Sequence, residues 1–427
     1  DSFFIGNRDS NWMLVAFGMI GTTLSGVTFV SVPGFVGKGN FGYLQITIGY
    51  LIGYVIIAYI LLPLYYRLKL TSIYGYLQQR MGKMSYKSGA WIFIVSRLVG
   101  ATARLYLVVN ILQTTILDSL GVPFIVTTLV ILSMIILYTY EGGVKTIVWT
   151  DTLQTTCMLA GLVACTFYIL NYFDLSILDS FSVLSEKGYT QIFNTDFYSS
   201  NYLIKQILAG AFITITMTGI DQEMMQKSLS VTKLKDSQKN MVTLGFILFG
   251  VISLFLYMGG LLYIYGAKVG SVAVDDKLFP DIALNYMPPF ISIIFIIALI
   301  SALFPSADGA MTALTSSLFI DVFGINDRAF STDKKEKIRK RIHLLVAFSF
   351  LVMVLVFRWI NDNSMIGLIL KLAGFTYGPL LGLFAFGIFT KYKVKDSLVP
   401  IVCILSPVFS YIIDHFQTDI FGEFKIG

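Results

Sequence analysis

The chain has few charged residues, few cysteines and almost no histidine. Only 13% of its 427 residues are charged, which is about half the share in a typical soluble domain. Its 3 cysteines lie inside apolar stretches and its 2 histidines stand alone, so neither a disulfide framework nor a cluster of metal ligands is expected. No Walker loop, no glycine pattern of a dinucleotide site and no long polar domain is present. These absences argue against an enzyme and exclude an ATP-driven pump in this chain by itself.

Apolar residues fill most of the chain: 56% are hydrophobic and the mean hydropathy is +0.76. About eleven apolar runs are long enough to span a bilayer. They lie near residues 12–36, 42–66, 88–116, 122–140, 146–172, 203–226, 241–266, 281–321, 343–360, 364–389 and 397–416. Within a membrane the backbone N–H and C=O groups must form hydrogen bonds inside the protein. This large number of spans therefore predicts an all-α bundle. We expect a multi-pass protein of a bacterial-type inner membrane.

Basic residues alternate between the loops that join these runs. One set of loops contains most of the lysines and arginines, among them Arg67, Lys145, Lys227, Lys391 and the KKEKIRKR cluster at 334–341. The positive-inside rule assigns this set to the cytoplasm, so the net charge of +6 reflects topology. The cluster lies beside a predicted helix, which favours anionic lipid over nucleic acid as its partner.

Two runs carry glycine and clustered hydroxyl residues near their middle. They are GTTLSGVT at 21–28 and TMTGIDQ at 216–222. Such sequences let a helix unwind and expose carbonyl groups that coordinate a cation, while the half-helix ends meet a substrate. Close helix packing through small residues is the alternative.

The two interrupted runs are the first and the sixth, which predicts two five-helix units of opposite orientation. The expected units are 1–172 and 203–391. An extracytoplasmic loop at 173–202 separates them, and an additional C-terminal helix at 392–427 follows.

A carboxylate stands within the eighth apolar run. At about 1.5 Å per residue, Asp308 lies roughly 20 Å from Asp321 at the cytoplasmic end of that run. A carboxylate at this depth is costly unless a cation, a water-filled cavity or hydrogen bonds compensate it. Nearby hydroxyl residues such as Ser306 and Thr312 suit a hard monovalent cation. A protonated or salt-bridged acid that joins helices is the alternative.

Three segments resemble the sodium/solute symporter family, which includes sodium-coupled sugar, proline and sialic acid transporters. They are YTYEGGVKTIVWTDTLQTT at 138–156, the first run with its flank at 6–34, and AGFTYGPLLGLFAFGIFTK at 373–391. The resemblance covers essentially the whole chain. It implies the LeuT-type inverted repeat and the sodium-coupled import of a small organic solute by alternating access, by a protein expected to be a monomer. A symporter-like membrane sensor domain and a substrate-free ion channel remain alternatives.

The resemblance also implies a sodium site between the first and eighth runs. The carbonyl groups of Gly21, Leu24 and Ala302 and the hydroxyl of Ser306 would bind Na+. Family members usually carry a second hydroxyl immediately before this serine, where the chain has Pro305. The site is therefore one side-chain ligand short, although proline also frees a helix carbonyl one turn earlier.

Members that resemble the sialic acid transporters hold a second sodium ion near the aspartate of the WTD motif. The matching residue is Asp151, and together with Asp308 and Ser306 it forms a candidate second cation site. Two carboxylates in one site can instead share a proton, so proton coupling stays open. A helix N-terminal charge is the other interpretation of Asp151.

The same subgroup implies substrate contacts from the first two runs. The matching residues are Thr23, Ser25, Thr28, Tyr43 and Gln45.

An arginine of the third run binds the substrate carboxylate in the sialic acid group. Arg104 is the deeper of two candidates, roughly 24 Å from the cytoplasmic start of its run. Its planar guanidinium suits a carboxylate, which predicts a solute such as a sialic acid or another sugar acid. A salt bridge from Arg104 to Asp221 or Glu223 is the alternative, Lys371 is another candidate cation, and a neutral sugar or amino acid remains an alternative solute.

Overall fold

The computed structural model describes residues 10–142, 144–360 and 365–424, and for residues 144–145 and 365–373 it describes the backbone alone. Regular structure in this part of the chain is helical, apart from an isolated β-bridge between Ser10 and Val231. The predicted all-α class is confirmed.

The helices are labelled in chain order. They are α1 (Trp12–Leu24), α2 (Gly26–Gly39), α3 (Tyr43–Arg67), α4 (Gly75–Arg80), α5 (Lys83–Leu117), α6 (Phe124–Thr139), α7 (Val144–Tyr172), α8 (Ile177–Glu186), α9 (Leu203–Gly219), α10 (Gln222–Leu229), α11 (Leu234–Val269), α12 (Leu278–Asn285), α13 (Pro289–Val322), α14 (Thr332–Ile360), α15 (Met365–Phe389), α16 (Val399–His415) and α17 (Gln417–Phe421).

Seven helices of the described residues are long and apolar enough to cross a bilayer, and each bent pair adds one more span, which gives up to 9. Two further apolar helical stretches, α6 and 374–389, are shorter. All the apolar runs found in the sequence fall on helices. The count of eleven spans and the five-plus-five repeat stay predictions.

Two spans are bent at the glycine- and hydroxyl-rich sequences. The helices α1 and α2 meet at 60° around Ser25, and α9 and α10 meet at 66° around Asp221. The Asp221 side chain accepts hydrogen bonds from the backbone N–H groups of Glu223 and Met224 at 2.9 and 3.2 Å, which caps the start of α10. Each bend leaves backbone groups at helix ends without partners inside the helix, as a coordination site requires.

Small residues bring the first helix close to its neighbours. A Cβ atom added to Gly18 of α1 would lie 3.1 Å from the carbonyl oxygen of Val148 in α7, and one added to Gly21 would lie 3.3 Å from the Pro305 ring in α13. Helix α7 in turn packs on α13, where Gly161 faces Ala298. Such close approach is typical of helices in membranes. As a result α1, α7 and α13 meet around the first bend.

Candidate functional site

A cavity lies between the two bent spans and helices α3, α5 and α11. Its polar walls come from the first bend, from tyrosines of α3 and from arginines of α5, whereas apolar residues of α9 and α11 close the other side. It unites most of the side chains that were predicted to bind substrate: Thr23, Ser25, Thr28, Tyr43 and Arg104.

The guanidinium of Arg104 faces this cavity and is only partly buried. It forms no ion pair or hydrogen bond with any residue that the structure describes. The hydroxyl groups of Tyr43 and Tyr50 lie 3.1 Å apart and line the same cavity. A cation that has no partner within the described ranges, in a cavity lined with hydroxyl groups, is suited to bind an acid that carries hydroxyl substituents.

Asp221 and Glu223, the acids considered as alternative partners of Arg104, interact instead with Arg97, which lies two helical turns earlier. Arg97 donates to Glu223 and its Nη1 atom lies 3.7 Å from Oδ2 of Asp221. All three side chains are buried. The predicted salt bridge of Arg104 to these acids is therefore wrong. The side chain of Lys371, the other candidate cation, lies outside the described residues.

Gln45 lies apart from the other predicted substrate residues. Its Nε2 donates to the carbonyl of Asn201 at 3.3 Å, and its Oε1 accepts from the backbone N–H of Asn194 at 3.0 Å. Both partners belong to the 173–202 segment, so the structure shows Gln45 fastening this segment to α3. A contact between Gln45 and substrate stays a prediction.

The elements of the predicted sodium site face each other across the first bend. Helix α1 ends at Leu24, one residue before the bend, and Gly21 lies against Pro305. A Cβ added to Gly26 would lie 3.8 Å from the carbonyl carbon of Ala302. The hydroxyl of buried Ser306 donates to the carbonyl of Leu303 at 3.0 Å, so its oxygen lone pairs stay free to bind a cation.

The predicted second cation site contains an amino group. The Lys227 Nζ atom donates to Oδ2 of Asp151 at 2.7 Å and to the hydroxyl of Thr22 at 2.6 Å, and it lies 3.5 Å from Oε1 of Glu223. Asp308 accepts from the Tyr138 hydroxyl at 2.7 Å.

The prediction that Lys227 lies in a cytoplasmic loop is wrong. The residue lies in α10 and only 2% of it is exposed. Its burial is tolerated because carboxylates and a hydroxyl surround the ammonium group. The spacing of Glu223 and Lys227, four residues apart after a helix-capping aspartate, is the sequence signal that could have revealed this helix.

Six ionisable side chains thus form a buried charge cluster, defined here as Arg97, Asp151, Asp221, Glu223, Lys227 and Asp308. Four of its members are acids and two are basic, so the cluster carries an excess of negative charge when all are ionised. It lies directly beside the first bend, where Thr22 bonds both Lys227 and Asp151. This field favours a cation in the neighbouring site.

Comparison with known proteins assigns the chain to a family. The model of the sodium:solute symporter family matches residues 3–396. The sodium/sialic acid symporter SiaT of Proteus mirabilis is 23% identical over 100% of this chain and 87% of its own length. NanT, a sodium/sialic acid symporter of Aliivibrio fischeri, is 21% identical over 96% of this chain and 81% of its own length. The human sodium/iodide cotransporter is 23% identical over 91% of this chain and 61% of its own length.

Solved structures agree with the helical arrangement. A sodium-coupled sialic acid symporter in a substrate-bound outward-open state has a TM-score of 0.80 at 21% identity, over 91% of this chain and 81% of its own. MhsT in complex with L-phenylalanine has a TM-score of 0.56 at 15% identity, over 96% of this chain and 98% of its own. The chain therefore shares the fold of these two structures. Because the family model covers nearly the whole chain, the protein belongs to the sodium:solute symporter family.

Proposed function

We propose that the protein imports a small carboxylate-bearing solute, such as a sialic acid or another sugar acid, together with Na+ across an inner membrane. The observation that carries the substrate class is Arg104, a guanidinium that has no partner among the described residues and faces a cavity lined by hydroxyl groups. Two relatives named as sialic acid symporters support the same class. A bidentate pair between Arg104 and the carboxylate would fix the acid, and Thr23, Ser25 and Thr28 would orient its hydroxyl groups.

Sodium would bind on the other side of the same bend. The carbonyls of Gly21 and Leu24 would contribute ligands from α1, and Ala302 and Ser306 would contribute ligands from α13. An ion shared by two helices favours the conformation in which both sets of ligands are close together. Because residues 23–28 also line the substrate cavity, a sodium ion that fixes the first bend would hold the hydroxyl groups of these residues in position for the substrate. This shared element would couple the two binding events.

The two bends, in the first and sixth apolar runs, support a five-plus-five inverted repeat with the boundaries 1–172, 173–202, 203–391 and 392–427. In such a repeat, rocking of one group of helices against another exposes the central site to each side in turn. We propose a monomer as the transporting unit.

A second sodium ion at Asp151 and Asp308 would have Lys227 as its competitor. One oxygen of Asp151, Oδ1, has no hydrogen-bond partner within the described ranges, so part of this carboxylate is available. A second cation would bind there only when the Lys227 ammonium moves away from Oδ2.

Competition for uptake tests the substrate class. Proteoliposomes would take up a labelled sialic acid from an external sodium buffer, and the unlabelled acid, its neutral amide or a neutral sugar would be added outside as competitors. We expect inhibition by the acid alone at concentrations near its own affinity. Equal inhibition by the amide would contradict the carboxylate and favour a neutral solute. Binding of the acid without uptake would indicate a sensor.

A further inference from the structure

We propose that Thr155 of α7 supplies the side-chain sodium ligand that Pro305 cannot supply. The ion would then be held by three helices, α1, α7 and α13. The inference rests on the sodium site proposed above and adds a residue to it.

The Thr155 hydroxyl lies at the first bend, next to the position that lacks its usual ligand. An added Cβ on Gly21 would collide with Oγ1 of Thr155 on one side and would lie 3.3 Å from Cγ of Pro305 on the other. Gly21, Thr155 and the start of the 305–306 segment therefore share one small volume. The missing side chain of Gly21 is what lets the hydroxyl approach the backbone of α1.

This hydroxyl differs from its neighbours on α7 in having no hydrogen-bond partner among the described residues. Thr155 is 1% exposed, and its Oγ1 forms no hydrogen bond with any residue in the described part of the chain. On the same helix, Thr152, Thr156 and Thr166 each donate to the carbonyl four residues earlier, at 2.7 to 2.8 Å. A buried threonine in a helix normally forms this bond. The Thr155 side chain instead points toward Gly21.

A buried hydroxyl without a partner is unfavourable, because the group loses its bonds to water and gains none in return. A sodium ion at the predicted site would reduce this penalty, since the hydroxyl oxygen can coordinate a cation through a lone pair. The hydroxyl is neutral, so it adds a ligand without adding charge to a site that already has the negative charge cluster beside it. A bound water molecule would also satisfy Thr155 and is the outcome that the test must separate from a sodium ion.

Thermal stabilisation by sodium alone provides a direct test, because it needs no substrate and no transport. An ion that binds only the folded protein stabilises it by RT ln(1 + c/Kd), where c is the sodium concentration, so the melting temperature rises with the logarithm of c once c exceeds the dissociation constant. The purified protein would be heated in sodium or choline chloride at constant ionic strength. The variants are Thr155→Val, which removes the hydroxyl and keeps the shape, and Thr155→Ser, which keeps the hydroxyl. Thr166→Val is the matched control, since its buried hydroxyl is already bonded to Leu162.

We expect Thr155→Val to raise the half-saturating sodium concentration by about tenfold, while Thr155→Ser and Thr166→Val stay near the wild type. Pro305→Ser restores a hydroxyl at the family position, so it should recover most of the lost affinity in the Thr155→Val background. Equal sodium affinity of Thr155→Val and Thr166→Val would overturn the inference and indicate a water-bonded hydroxyl.

Two further results keep the test decisive. If Thr155→Val does not fold, Pro305→Ser alone is measured with Thr155 intact. Because Thr155 already supplies the ligand, the sodium affinity should stay near that of the wild type; an affinity increased severalfold would show that the ligand is still missing and would overturn the inference. If the melting temperature of the wild type is the same in sodium and choline, the proposed sodium site itself is contradicted. If sodium stabilises the wild type and the Thr155→Val variant equally, only the inference about Thr155 is contradicted.

Discussion

The ammonium group of Lys227 lies 2.7 Å from Oδ2 of Asp151, and both side chains are buried. The pair joins α10, the second half of one bent span, to α7, which packs against the other bent span. The hydroxyl of Thr22 in α1 bonds both members. This ion pair therefore connects the two bent spans.

Removal of the Lys227 charge should destabilise the protein strongly. Lys227→Met leaves Asp151 and Glu223 without their shared cation, which should cost about 3–5 kcal/mol, the usual result when one partner of a buried pair is deleted. The additional change Asp151→Asn should restore part of the stability. Thermal unfolding followed by size-exclusion chromatography measures the effect, with exposed Lys235→Met as the control. If the single variant is as stable as this control, the pair has no structural role.

The close approach of α10 to α13 depends on Gly309. An added Cβ would collide with Oε1 of Glu223 and would lie 3.1 Å from Nζ of Lys227. Gly309→Ala should therefore lower both the yield of folded protein and its melting temperature. Gly250→Ala in α11 is the matched control, because nothing lies within 4 Å of its added Cβ. That change should be neutral or stabilising by up to about 1 kcal/mol, through helix propensity alone.

Arg104→Ala should weaken substrate binding without unfolding the protein, because the side chain has no partner among the described residues. Loss of a bidentate charged contact should cost on the order of 2–4 kcal/mol, or about 30- to 1000-fold in affinity. Arg104→Lys should also bind weakly, since a point charge does not reproduce the planar fork. Titration with one acid and its neutral amide measures the effect. An amide that binds the wild type as well as the acid does would remove the role assigned to Arg104.

Arg97, on the same helix as Arg104, is expected to stabilise the fold and not to bind substrate. Arg97→Ala removes the cation that faces buried Asp221 and leaves Glu223 with Lys227 alone, so we expect loss of folded protein. The added change Glu223→Gln should recover part of it. A fluorescence-detected thermal scan of both variants separates this structural arginine from Arg104. Normal folding of Arg97→Ala, with lost substrate binding, would instead make Arg97 a substrate ligand.

The features that depend on local sequence were predictable. Apolar runs of spanning length gave the helices, and glycine with clustered hydroxyls at 21–28 and 216–222 gave both bends. These signals depend only on neighbouring residues. In a membrane the backbone of each span must bond to itself as a helix, and a helix bends where its residues tolerate an interrupted backbone. Thr23, Ser25, Thr28, Tyr43 and Arg104 follow from the same runs and a family pattern, and the structure brings them to one cavity.

The features that depend on distant pairing were not predictable. Lys227 and Asp151 are 76 residues apart, and a lysine that follows several polar residues is typical of a loop. Only the packing of α10 between α1, α7 and α13 makes the lysine a buried counterion. Gln45 likewise depends on a loop that starts well over a hundred residues later. A pattern in one sequence does not record which polar groups meet in space.

Accumulation against a concentration gradient tests sodium coupling most directly. Proteoliposomes would be given an inward sodium gradient at zero membrane potential, with the labelled sugar acid at equal concentration on both sides. The account predicts that the wild type concentrates the acid inside, that choline in place of sodium abolishes this, and that Ser306→Ala shifts the required sodium concentration upward. Uptake that only equilibrates the acid, at the same rate in sodium, potassium and choline, would contradict it.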